Sequence, residues 1–199
     1  MTAPVPASEH TRSGQLTNEE LAQARLFLQQ TLNSVIGATK LLSEAQWNYK
    51  PAPEQWSIAQ NLDHIVAVQE RVLGMLAQLA DAPAAPAGRD PQVVDAIVIH
   101  RFPTRLGKFT APEFIQPADQ IVPAERLDRL QSNCLRFSDA LDSIPGLRDH
   151  LLEAPPLKAV SKGEHTVMDG YQWILAEAAH TERHAKQMLE VIADPGFPA

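Results

Sequence analysis

The stretch Ser57-Ile-Ala-Gln-Asn-Leu-Asp-His64-Ile-Val-Ala-Val-Gln-Glu-Arg-Val-Leu-Gly-Met-Leu76 decides the fold class. Ile58, Leu62, Ile65, Val66, Val72, Leu73, Leu76 and Leu79 recur at helical spacing, and so long a run with that period is an amphipathic helix. The Ser57 hydroxyl can cap its start, and Asp81-Ala-Pro-Ala-Ala-Pro-Ala-Gly ends it. Upstream, Thr17-Asn-Glu-Glu20 is a capping box that opens a first helix over 17 to 44, striped by Leu21, Ala24, Leu28, Leu32, Val35 and Ile36. Downstream, Pro123 suits a first helical turn and starts a third helix to about 143. A fourth, from 167 to 193, carries Tyr171, Ile174, Leu175, Ala178, Ala185 and Leu189. No segment reads as a convincing strand. Four long amphipathic segments predict an all-α four-helix bundle, with a long proline-rich crossover over 81 to 122 between the second and third helices. Residues 1 to 15 read as a flexible tail and 16 to 194 as one domain.

Composition narrows the function. With 199 residues, 44% of them hydrophobic and 21% charged, the chain has the make-up of a globular domain. A net charge of −7 argues against nucleic acid as a partner, because phosphate binding needs a basic face. No apolar window of about 18 residues predicts a membrane span, and the first ten residues lack the pattern of a secretory signal, so the cytoplasm is the expected location. Cys134 is the single cysteine and cannot close an internal disulfide; it reads as a small core residue.

Chemistry is suggested by histidines. His180-Thr-Glu-Arg-His184 places two imidazoles four residues apart, on one face of a helix and within reach of one ion. His64 lies off its own apolar stripe, facing either a cleft or solvent. A third imidazole from that helix would complete a three-histidine set with open positions, the arrangement of catalytic rather than structural metal sites. Such a pair on a helix also occurs by chance, so spacing alone leaves surface histidines as the alternative. Thr181 stands where an HExxH zinc peptidase has its glutamate, which removes that mechanism. Glu177, one turn before His180, is the candidate proton acceptor; Asp63 and Gln187 are weaker candidates for holding a ring. His100 and His165 lie in connectors that could fold over the site. No Gly-rich phosphate loop, GxSxG elbow or CxxC pair is present.

The sequence resembles the DinB-like superfamily, which includes YfiT-type metal-dependent hydrolases. The resemblance rests on Leu42-Ser-Glu-Ala-Gln-Trp47-Asn-Tyr-Lys-Pro-Ala-Pro-Glu-Gln-Trp56, on the run from Ser57 to His64, on Ala179-His180-Thr-Glu-Arg-His184-Ala-Lys-Gln187, and on the loop-like Gly107-Lys-Phe-Thr-Ala-Pro-Glu-Phe-Ile-Gln-Pro117. It implies one divalent ion, most often zinc or nickel, held by the residues matching His64, His180 and His184. It also implies a homodimer and a small-molecule substrate. Known relatives include transferases that join a low-molecular-weight thiol to electrophiles. Arg101, Arg105 and Lys108 in the crossover are candidates for holding such a thiol. The alternative is a non-catalytic, metal-stabilised bundle serving as a binding or stress-response module.

Overall fold

The computed structural model describes residues 15–104, 112–118 and 120–199. The tail up to residue 14, His10 within it, and Arg105 and Lys108 of the crossover lie outside the described residues.

Four long helices form the bundle: α1 (Asn18–Ala38), α3 (Ile58–Leu76), α5 (Pro123–Ser143) and α7 (Gly170–Ile192). Each packs on two others, in the ring α1, α7, α3, α5. Consecutive long helices α1 and α3 therefore sit on one diagonal, and α5 and α7 on the other. Thr17 caps α1 as its sequence predicts: its hydroxyl accepts from the Glu20 amide at 3.1 Å while Glu20 accepts from the Thr17 amide at 2.7 Å. Ser57 and Gln60 make the same exchange at the start of α3.

Three expectations are corrected. The first helix stops at Ala38 rather than running to 44, because the chain turns through Leu41 at φ +59°, a left-handed conformation that breaks a helix. Ser43 then caps a separate short helix, α2 (Glu44–Asn48), which buries Trp47. Strands are present: β1 (Leu151–Glu153) pairs antiparallel with β2 (Val167–Asp169), Leu152 opposite Met168. They flank the short α6 (Pro155–Val160), and the last helix consequently begins at Gly170, capped by Asp169, not at 167. Three-residue strands are too short for an alternating pattern to show in sequence.

The crossover contains α4 (Gln92–Arg101), which packs on α7, and a 3-10 turn (Glu113–Ile115), which packs on α3. At the end of the bundle near α4, the buried Arg148 guanidinium joins Glu20 at 2.6 Å, Asp95 at 2.7 Å and Asp169 at 3.0 Å, and lies 4.2 Å from the centre of the Tyr171 ring. One side chain thus ties α1, α4 and the hairpin to α7.

The hydrophobic core is divided in two. On each long helix a buried polar residue separates the halves: Thr31 between Leu28 and Val35, Gln69 between Val66 and Val72, Asn133 between Leu130 and Phe137, and Thr181 between Ala178 and Ala185. Glu177 joins this polar layer from α7.

Candidate metal site

α3 and α7 meet along a seam, and His64, His180 and His184 converge there. Their ring centres are 4.5 to 5.0 Å apart, and one nitrogen from each lies within 4.8 Å of the others. His64 and His184 are buried and His180 is half-buried. The pair on α7 shares a face because its members are one turn apart, and His64, off the apolar stripe of α3, is turned into the seam rather than to solvent.

The rings are held from behind. His64 Nδ1 lies 2.7 Å from the Ile115 carbonyl oxygen of the crossover, and His184 Nδ1 lies 2.9 Å from Asn61 Oδ1. Trp56 closes one side, nearly parallel to the His184 ring at 5.9 Å and 4.7 Å from that of His64. The Nε2 atoms of His64 and His180 face each other at 3.1 Å. Burial holds the His64 imidazole below its ordinary pKa, partly offset by Ile115 and Asp63. Burial, with His64 and Arg183 adding to it, holds His180 well below. Neutral imidazole is the form that donates a lone pair to a metal.

The donor set fits a divalent ion. Zinc binds imidazole nitrogen at about 2.0–2.1 Å, which spaces the nitrogens of a tetrahedral site by about 3.4 Å. The 3.1 Å between two Nε2 atoms is close to that spacing. Among the described residues His180 Nδ1 is buried with no hydrogen-bond partner.

The other candidates sit elsewhere. Glu177, three residues before His180, lies in the polar layer of the core. Three helical residues turn the chain by about 300°, which leaves a 60° offset toward the core. Its carboxylate accepts from Thr181 Oγ1 at 2.7 Å and from Gln69, and burial pushes its pKa up to about 7. Asp63 pairs with Arg126 at 2.6 Å and accepts from the Ala118 amide at 2.9 Å. Gln187 Oε1 is buried without a partner among the described residues. His100 is exposed at the end of α4, and His165 lines a separate surface cleft of about 340 Å³ with Arg89 and Val93. Arg101 is exposed. The Cys134 thiol, pushed up to about 11 by burial, is a protonated packing group. Sequence reading did not single out Asn61, Trp56 or the Ile115 carbonyl. Asn61 alone left a signal, since it lies one turn before His64 on α3, about 60° round the helix from it.

Known proteins resemble this chain in sequence or in fold. The uncharacterized protein YuaE of Bacillus subtilis (strain 168) is 29% identical over 153 residues, covering 76% of this chain and 86% of YuaE. The structure of YfiT from Bacillus subtilis, described as a probable metal-dependent hydrolase with an unusual four-helix bundle topology, superposes with a TM-score of 0.59 over 97% of both chains. At 13% identity this is a likeness of fold. Among the described residues no helix is long and apolar enough to cross a membrane. The family model of the DinB superfamily matches residues 28–188, helices and histidines included, and this chain belongs to that superfamily.

Proposed function

We propose that the protein binds one divalent ion, zinc or nickel, through His64, His180 and His184, and uses it to act on a small molecule as a metal-dependent hydrolase. The convergence of three imidazole nitrogens within 4.8 Å, in a seam closed by Trp56, is the observation that carries this reading. An ion held there by three neutral ligands would supply Lewis acidity with its charge undiminished by a carboxylate. The chain's own groups orient the rings through Asn61 and the Ile115 carbonyl and keep two of them neutral by burial.

One observation favours a second reading. Among the described residues no carboxylate belongs to the three-histidine group, and Glu177 is committed to Thr181 and Gln69. Hydrolysis is helped by a carboxylate poised to take a proton from water, whereas a thiol cosubstrate ionises far more readily. A thiol S-transferase therefore stands as the alternative.

Metal analysis of protein purified without a chelating tag tests the site. About one equivalent of zinc or nickel is expected, lost in His180→Ala with the fold intact. No stoichiometric metal after incubation with either ion would overturn the proposal. Turnover of esters or amides, against turnover only of thiol-plus-electrophile pairs, then separates the two reactions.

A further inference from the structure

The protons on the three rings can be placed from their partners. The Ile115 carbonyl can only accept, so His64 carries its hydrogen on Nδ1 and leaves Nε2 bare. The partner of His184 is a side-chain amide, which could present either end. Its other end decides: Asn61 Nδ2 lies 2.9 Å from the Ser57 carbonyl oxygen and 3.5 Å from that of Trp56, and only the NH₂ group can donate to carbonyls. Asn61 Oδ1 therefore accepts, His184 carries its hydrogen on Nδ1, and its Nε2 is bare as well. His180 differs. Its Nε2 is 3.1 Å from the bare Nε2 of His64, a contact that is favourable only if His180 donates its own Nε2–H. Its Nδ1 is then a lone pair, consistent with a buried atom that has no partner among the described residues.

We propose that Asn61 is a positioning residue: a side chain on α3 that fixes the tautomer and ring orientation of His184 on α7, so that a nitrogen lone pair faces the site before any ligand arrives. Asn61 is itself 1% exposed and anchored by α3's own first turn, so the acceptor it offers is rigid. His64 is preset in the same way by a backbone carbonyl. His180 is the ring left unset, and it must move its hydrogen from Nε2 to Nδ1 before its Nε2 can ligate. The consequence for metal affinity rests on the three-histidine reading above; the assignment of tautomers does not.

Long-range ¹H–¹⁵N correlation spectra of the metal-free wild-type protein read the tautomers directly. The Nδ1–H form is expected for His64 and His184, and the Nε2–H form for His180. An Nε2–H form at His184 would overturn the proposal without any variant. Asn61→Leu should shift His184 away from the Nδ1–H form and weaken zinc binding, measured by competition with a chromophoric chelator, by roughly 10–100-fold. Asn61→Asp, which keeps an acceptor at the same place, should retain the Nδ1–H form and bind zinc far more tightly than Asn61→Leu. Equal loss in both variants, or wild-type affinity in Asn61→Leu, would overturn it. Wild-type protein with the expected tautomers and no zinc uptake would instead overturn the metal reading while upholding the role of Asn61 in setting His184.

Discussion

Glu177→Gln should make the protein more stable above neutral pH and flatten its stability between about pH 5 and pH 8. Glu177 is 2% exposed in the polar layer of the core, and burial raises its pKa from 4.5 to about 7 against the pull of Thr181 and Gln69. In the unfolded chain the carboxyl releases its proton near 4.5; in the folded chain it holds the proton to about 7. The folded state thus binds more protons across that window, so stability is greatest at its acid end, falls as pH rises through it, and levels off above about 7. The gap corresponds to about 3 kcal/mol at alkaline pH. Glutamine removes this penalty and conserves shape. Its carbonyl can accept from Thr181, and its amide can donate to Gln69 Oε1 once the Gln69 amide turns over to present its oxygen in place of the NH₂ that faces the carboxylate. Urea unfolding followed by far-UV circular dichroism at several pH values, on wild type and variant, isolates the contribution of Glu177 as the difference between two curves. A difference that grows by about 1–3 kcal/mol from pH 5 to pH 8 is expected. Parallel pH profiles would refute the reasoning, because they would mean that the carboxyl titrates as it does in the unfolded chain.

Arg148→Met should cost about 3–5 kcal/mol in the same unfolding assay, since it leaves Glu20 and Asp95 without the guanidinium that neutralises them and leaves the fully buried Asp169 to Arg89 alone. Gly170→Ala should cost about 1–3 kcal/mol in thermal unfolding, because a Cβ there would lie 2.6 Å from Leu79 Cδ2, 2.8 Å from Leu147 Cδ2 and 3.1 Å from the Leu147 carbonyl oxygen.

The four long helices were legible because each carries a periodic apolar stripe and three of them begin at a readable cap or proline: Thr17, Ser57 and Pro123. Their ends were less legible. Nothing in Leu41 announces a positive φ, which leucine rarely adopts, and the stripe continues past it through Leu42. The hairpin escaped because its strands pair residues fourteen to eighteen apart across α6, a relation fixed by tertiary packing rather than by local pattern. At the site, helical spacing predicted that His180 and His184 share a face, and the geometry brings His64 to them. For Glu177, "one turn away" at three residues leaves an offset of about 60° from His180, and its carboxylate is bonded to Thr181 and Gln69 in the core. Asn61 and Ile115 were invisible for another reason. Holding a ring from behind requires knowing which carbonyls and amides lie across the seam, and Ile115 contributes only backbone, which its side chain does not encode.

The placement of the site follows from the neighbours of α7. It packs on α1, α3 and α4, so Glu177 and Thr181 fall in the core layer while His180 and His184 fall on the seam with α3. Both ligand-bearing helices are bundle neighbours, and the three rings lie between them rather than at the centre, where Gln69 and Asn133 already occupy the polar layer. A seam needs a cover, and the crossover supplies part of it. Two consecutive residues of α3 hold that cover: Asp63 accepts from the Ala118 amide, and His64 donates to the Ile115 carbonyl. The backbone that shields the site is therefore fastened to one of the imidazoles, and any movement of the 112–118 segment away from α3 must break the hydrogen bond that orients His64.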